Sequence, residues 1–450
     1  MVTATVYLSR RGTPDWLAES ALSFVPDDDR ELGVVNLVPE RAYQEILGFG
    51  GAFTETSAYN YARVTPRSQA AILAALFGPN GLRLNFCRTP IHSSDFSLDE
   101  YTYVADGDTT LATFSIDRDR RWILPFLTAA QAVADDLQLF ASPWSPPPWM
   151  KTNREFNHGG RLDPAYAGVW ADYIARYFTE YARAGVSFVG LTVQNEPLAA
   201  QTWESCQFTA EEEGRFVRDH LVPALDRAGF AGLKIMIWDH NKERVFERAR
   251  DTCRVPGVAE HVWGIAFHWY SGDHFDALTL AHEAFPDKPL LLTECSLGAS
   301  RGEVAPGPHS SWDGLEIKAK EMIGDFNHHT AAVVDWNLVV DEQGGPYHSR
   351  EAGCKAPIVV DPATGTVSLE PLYYALAHFS RYVRRGARRI GSTTFSPDIQ
   401  VAAFQNPDRT IVAVLLNAAD ADTPVTLRLD GQTAPLVLPG HSLATLVIPQ

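Results

Sequence analysis

Residues 137–194 carry one complete unit of the fold: LQLFASP (137–143), then DPAYAGVWADYIARYFTEYARA (163–184), then FVGLTVQ (188–194). The two outer runs are short and largely apolar on both faces, as strands buried in a parallel sheet are. The middle run opens with Asp163 at an N-cap and Pro164 at the first helical position, and Gly185 follows it, so it predicts a helix. Outward from this unit the alternation recurs. Further β-like runs lie at 46–51, 82–88, 233–238, 262–269, 290–294 and 331–336, which makes eight in all. Residues 209–228, opening on a Thr and three glutamates, and residues 312–328 read as further helices. Eight strands alternating with helices predict an α/β chain built as a (β/α)8 TIM barrel, over residues 45–378.

The two ends differ from this pattern. Residues 1–44 alternate as short strands with turn signals, and residues 379–450 contain runs at 399–404, 410–416, 426–429 and 442–448 separated by NPD, DG and PG turns. Neither end has enough strands to stand alone. Together they predict an all-β side domain, a sandwich formed by both termini.

Composition limits the function. The chain has 450 residues, 45% hydrophobic and 21% charged, with 38 basic and 55 acidic side chains and a net charge of 38 − 55 = −17. That is an ordinary globular balance able to bury a large core. The negative excess disfavours nucleic acid and anionic membrane as partners. One dense basic run, Arg381, Arg384, Arg385, Arg388 and Arg389, reads as a solvated face beside a domain boundary. No run approaches the roughly 18 apolar residues of a membrane span, so membrane insertion is not expected. The N-terminus shows no apolar core of a signal peptide, which predicts a cytoplasmic protein, or a secreted one if a leader has been trimmed away. Five cysteines with no CxxC pair read as free thiols. A homo-oligomer is left open.

In such a barrel the chemistry sits at the C-terminal ends of the strands. The fourth run ends in QNEP (194–197), the sixth in FHWY (267–270), the seventh in LTEC (292–295) and the eighth in DWN (335–337); the third leads into SPWSPPPW (142–149). Two carboxylates on different strands, Glu196 and Glu294, among Trp, Tyr, His and Asn, have the makings of a sugar site. Aromatic faces cover the apolar faces of pyranose rings, and one carboxyl group can act as acid while the other stays ionised. His328–His329 and the pair His261/His268 invite a metal, but no HExxH or cysteine cluster accompanies them, and no metal or organic cofactor is expected.

Eight segments in order carry a resemblance: GFGGAFTETSA (48–58), RTPIHSSDFS (88–97), ASPWSPPPWMKTN (141–153), TVQNEP (192–197), TWESC (202–206), FHWYSGDHF (267–275), LLTECS (291–296) and DWNLVVDEQGGP (335–346). The chain resembles glycoside hydrolase family 30, the family of glucosylceramidases and related bacterial β-glycosidases. The resemblance implies a retaining double displacement with Glu294 as nucleophile and Glu196 as acid/base. It implies that Asn195 bonds the sugar 2-OH and that Tyr270 holds Glu294 ionised. It also implies that Asp95 and Trp144 meet outer hydroxyls, that Trp336 floors the ring, and that Arg88 supports the acidic cluster. His268, two residues before Tyr270, is expected to line the pocket too. Two departures stand out. Cys295 follows the nucleophile where relatives often carry Gly or Ala, and is expected to narrow the space beside it. Residues 349–357 replace a segment that carries Asn in many relatives, which detaches lipid-aglycone recognition from the resemblance. Glu204 is assigned either to the aglycone side or to a loop cap. The expected activity is exo-hydrolysis of β-D-glucosides. β-Xylosidase, β-fucosidase and endo-β-1,6-glucanase are the alternatives, and a non-catalytic sugar-binding protein the distant one.

Overall fold

The structure is a computed structural model and describes residues 2–29, 32–134, 136–298, 307, 309–350 and 353–450. Eight parallel strands close into a barrel in chain order: Gly48–Ala52, Phe86–Ile91, Gln138–Pro143, Gly190–Thr192, Lys234–Asn241, Val262–His268, Leu290–Glu294 and Thr330–Asn337. The last strand pairs with the first, Val333 facing Phe49. The barrel is narrow where the first two strands meet. A Cβ added to Gly50 would lie 1.8 Å from the Phe86 carbonyl oxygen, so that position admits only glycine.

The helices follow their sequence signals. Asp163 caps the helical segment after the third strand by accepting from Ala165 N, and the α-helix runs Ala167–Arg183. Its apolar stripe, including Trp170, Tyr173, Ile174, Tyr177 and Tyr181, is buried. Thr209 forms a capping box with Glu212. The helix it starts is not continuous: a π-helical turn, Val217–Leu221, separates Ala210–Phe216 from Val222–Arg227. Pro223 falls within this helix and brings no N–H, so the extra residue of the π turn relieves the ladder there.

The termini build a ten-stranded sheet. Thr3–Arg10 pairs antiparallel with the last strand, Ser442–Ile448, and Val34–Glu45 lies between Arg388–Thr394 and Thr423–Leu429. Val6, Ala413 and Leu446 from one end of the sheet share a core with Leu427, Ala434 and Leu438 from the other. The sheet therefore closes face to face as a sandwich. Strand Ile411–Asn417 (IVAVLLN) is apolar on both faces for a reason. Ile411, Ala413 and Leu415 enter the sandwich core, while Val412, Val414 and Leu416 pack against the barrel.

Several sequence expectations need correction. Strands Arg388–Thr394 and Gln432–Leu438 were not foreseen, because their Arg and Thr, or Gln, Thr and Pro, hide the alternation. A three-stranded accessory sheet, Val339–Asp341, Ile358–Asp361 and Thr366–Leu369, lies beside the barrel mouth and was likewise unforeseen. The arginine run is not a solvated face: of its members only Arg388 is exposed. Arg381 donates to Gly81 O, Arg385 to Asn85 O, and Arg389 is buried over the Tyr43 ring. Arg381 and Arg385 thereby tie the chain at the domain boundary to the barrel, while Arg389 stays within the sandwich. His378 stitches the seam between the two domains, with Nδ1 against Thr445 Oγ1 (2.8 Å) and Nε2 against Ser9 Oγ (2.9 Å). All five cysteines are free thiols. Among the described residues no helix is long and apolar enough to cross a membrane.

Candidate active site

The site begins with a fault in the fifth barrel strand. Trp238 pairs with Ala266 and His240 with Phe267, so Asp239 is an extra residue between them. Trp238 and Asp239 both have positive φ, 77° and 52°. Such a bulge re-aims a side chain, and here it turns the Asp239 carboxylate into the barrel. That carboxylate accepts from Arg88 Nη2 (2.7 Å), Thr192 Oγ1 (2.6 Å), Thr293 Oγ1 (2.6 Å) and His268 Nε2 (3.0 Å). Burial alone would raise its pKa, but Arg88, His268 and Thr192 hold it well below the ordinary carboxylate range.

Above this hub stand the two glutamates. Glu294 ends the seventh strand; its Oε2 accepts from Arg88 Nη1 (3.0 Å) and its Oε1 from the Tyr270 hydroxyl (2.9 Å). Glu196 follows the fourth strand at φ 45°, a strained position for a non-glycine, and is tied there by its N–H to Asp239 O (3.0 Å). Its Oε1 lies 3.1 Å from His268 Nδ1. Carboxylate oxygens of Glu196 and Glu294 and a ring nitrogen of His268 all lie within 4.8 Å of one another. Oxygens this close fit the roughly 5–5.5 Å separation of a retaining pair better than the roughly 6.5–9.5 Å of an inverting one.

The electrostatics divide the two. Burial pushes Glu294 up, while His268 and Arg88, which donates to its Oε2, oppose the rise. Burial would raise Glu196 as well, but His240 and His268 bring it down to about 2. His268 itself, lowered by burial but raised by Glu294, Asp239 and Glu196, comes to about 9. Glu196, His268 and Glu294 are also the one group of potential metal ligands that converges among the described residues. A cation there would compete with Arg88 for Glu294.

The cavity over these groups has a volume of about 440 Å3 and is lined by Asn195, Glu196, Tyr270, Glu294, Trp144 and Trp336, among others. Trp144 and Trp336 stack with centroids 5.1 Å apart, and Arg88 lies 4.6 Å from the Trp144 ring. Asn195 Oδ1 accepts from Arg88 Nη2 (3.0 Å), which leaves the amide N–H2 for other partners. At the far wall Asp95 pairs with Arg350, whose guanidinium lies over the Phe96 and Trp203 rings. Behind them His348 donates from Nε2 to Glu204 (3.1 Å) and from Nδ1 to Ser97 O (3.1 Å). Ser97 O can only accept, so Nδ1 carries a hydrogen; burial lowers His348, and Glu204 raises it to about 9.

Seven of the nine sequence-derived site residues line this one cavity: Asp95, Trp144, Asn195, Glu196, Tyr270, Glu294 and Trp336. The other two lie beneath it. Arg88 is fully buried and bridges Glu294, Asn195 and Asp239. His268 does not line the pocket as expected; it is fully buried between Glu196 and Asp239. Cys295 does not narrow the space beside Glu294. Alternation turns it outward, where Lys318 Nζ lies 2.8 Å from its Sγ. Glu204 neither meets the cavity nor caps a loop by itself; it anchors His348. Within 349–357, Arg350 and Cys354 line the cavity, and Glu351 and Ala352 lie outside the described residues. His328 stacks on Phe275 and His329 on His282.

Asp239, His240, Asn241 and Arg350 were missed. The first three directly follow the run at 233–238, so the strand-end rule applied there would have found them. Arg350 lies in a loop with no pattern to betray it.

A parallel eight-stranded barrel with two close carboxylates and stacked tryptophans at its mouth defines a glycoside hydrolase. More narrowly, the chain belongs to glycosyl hydrolase family 30. Residues 46–383 match the family's TIM-barrel domain and residues 386–446 its beta sandwich domain. It is 31% identical over 428 residues to the lysosomal acid glucosylceramidase of Mus musculus, covering 92% of this chain and 82% of that protein. The crystal structure of SrfJ from Salmonella typhimurium superposes with a TM-score of 0.95 at 33% identity, covering all of both chains. An endo-β1,6-glucanase structure superposes at 0.87 with 27% identity, again over the whole of both.

Proposed function

We propose that the protein is a retaining, exo-acting β-glycosidase for β-D-glucosides, with Glu294 as nucleophile and Glu196 as acid/base. The observation that carries this reading is the approach of carboxylate oxygens of Glu196 and Glu294 to within 4.8 Å, with Arg88 donating to Glu294 and His268 against Glu196. In the first step a Glu294 oxygen forms a bond to the anomeric carbon as the glycosidic C–O bond breaks. Glu196 gives its proton to the departing oxygen. In the second step water replaces Glu294 at that carbon, and Glu196 takes the water's proton. Arg88 and Tyr270 position the nucleophile by donating to its two oxygens. Asn195 offers its N–H2 to the 2-OH, Trp336 and Trp144 face the apolar ring, and Asp95 receives an outer hydroxyl.

Exo action is supported by the cavity. Its volume of about 440 Å3 lies near the low end of single-ligand pockets (roughly 300–1,000 Å3), and Asp95 and Arg350 wall one side of it. The similarity to an endo-β1,6-glucanase over the full chain favours endo-β-1,6-glucanase as the second reading. β-Xylosidase and β-fucosidase would use the same catalytic pair. Initial rates on aryl β-D-glucoside, xyloside, fucoside and galactoside, beside reducing-end release from β-1,6-glucan, separate these readings. The account predicts that the aryl glucoside dominates. Cleavage of the polymer alone would move the assignment to the endo reading.

A further inference from the structure

His268 is clamped between two carboxylates beneath the cavity floor, with Nε2 3.0 Å from Asp239 Oδ1 and Nδ1 3.1 Å from Glu196 Oε1. Asp239 cannot supply the proton of either contact. It already accepts from Arg88, Thr192 and Thr293, and a carboxylate so surrounded stays ionised. Nε2 must therefore carry a hydrogen. One proton is left for the Nδ1–Oε1 contact. It sits either on His268, as an imidazolium facing a carboxylate, or on Glu196, as a carboxylic acid facing a neutral ring. The two forms have the same net charge, so exchange between them moves no charge into or out of a buried site.

The groups around the ring decide which form prevails. Glu294 Oε1 lies 4.0 Å from Nδ1, the His240 ring 6.4 Å away and the Tyr270 ring 6.0 Å away, and Arg88 stands beyond Asp239. Of these, the Glu294 carboxylate is the anion that favours the proton on His268. Its charge is also the one that the reaction removes, when the nucleophile becomes an ester.

We propose that His268, anchored by Asp239, stores the catalytic proton of Glu196 and releases it as Glu294 loses its charge. The inference rests on the roles proposed above for the two glutamates. In the first step Glu294 spends its charge on the new C–O bond, the proton passes from Nδ1 to Glu196, and Glu196 passes it to the leaving oxygen. In the second step Glu196 removes a proton from water, the bond to Glu294 breaks and restores the carboxylate, and the proton returns to His268. One proton leaves the pair and one comes back per turnover. His268 and Asp239 are positioning residues in this scheme and touch no substrate.

The direct test is 15N NMR of histidine-labelled enzyme, which needs no variant for its first reading. The free wild type is expected to show His268 protonated on both nitrogens at neutral pH. Glu294→Gln, which removes the neighbouring charge, is expected to convert it to a neutral ring with hydrogen on Nε2 alone. The kinetic companion is His268→Gln. Its alkaline limb of kcat/KM is expected to fall by about one pH unit or more, with larger losses on poor leaving groups than on good ones. A neutral His268 in the wild type, or an imidazolium unchanged by Glu294→Gln, overturns the proposal. So does a His268→Gln loss that is equal at every pH, which is the mark of a merely structural role. The acid/base assignment beneath it fails by a different sign: Glu196→Ala would then show neither leaving-group dependence nor rescue by azide.

Discussion

The barrel mouth and the sandwich bury side chains of opposite character. The sandwich core is apolar, and its longer strands contribute alternate residues, as Ile399, Val401 and Ala403 do from Ile399–Gln405. At the mouth, Arg88, Asp239, His268 and Glu294 are all buried within a few ångströms of one another. The sandwich is held by area removed from water, a term without direction. The mouth is held by a closed set of charge-assisted hydrogen bonds, in which losing one partner strands another. The two regions should therefore respond differently to the same kind of change.

The largest effect is expected at the mouth, on rate. Glu294→Ala should lower kcat by about 10^4-fold or more, and because it strands the buried Arg88 it should also lower the thermal midpoint. A lesser loss on every substrate would break the assignment. Glu196→Ala should cost about 10^2–10^4-fold on poor leaving groups and much less on activated aryl glycosides; comparing two aryl leaving groups reads the difference.

In the sandwich the sign of the experiment reverses. Leu415 and Leu446 are fully buried in its core, and Leu446→Ala should cost about 2–5 kcal/mol of stability. Activity per folded molecule should be unchanged. A lowered kcat with an unchanged midpoint would show that the domains are not separable in this way.

Acid sharpens the contrast at the seam. Burial holds His378 down at about 3 against an ordinary value of 6.5, so the folded state needs it neutral. Its stability contribution is complete above about 6.5 and declines as pH falls toward 3, by roughly 1.4 kcal/mol per unit. His348 has the opposite sign. Raised to about 9, it contributes fully below about 6.5, and that contribution is lost as pH rises through 9. Thermal melts across pH should show the wild type losing an acid-sensitive increment that His378→Gln lacks. The smallest effect is expected from Cys295→Ala, which should leave KM within about twofold, because the thiol faces Lys318 and not the cavity.

The barrel strands were legible as short apolar runs alternating with helix signals, and part of the sandwich as alternating runs between turns. Leu290–Glu294 was located to the residue, and Asp163 and Pro164 marked their helix start. The glutamates were legible because strand ends are where a barrel keeps its chemistry. What stayed hidden has no period. Asp239 is placed by a bulge, which depends on the neighbouring strand's register. His268 sits on the expected strand, yet its depth follows from its partners and not from its position in the run. The seam arginines look solvated in sequence because charge alone does not reveal which carbonyl groups need a donor.

The most direct test of the account is to trap the enzyme with a 2-deoxy-2-fluoro-β-D-glucoside bearing a good leaving group and to map the adduct by peptide mass spectrometry. The account predicts one covalently bound sugar per chain, on Glu294 within LLTECS. A label on any other residue, or turnover that releases inverted product without an adduct, would contradict it.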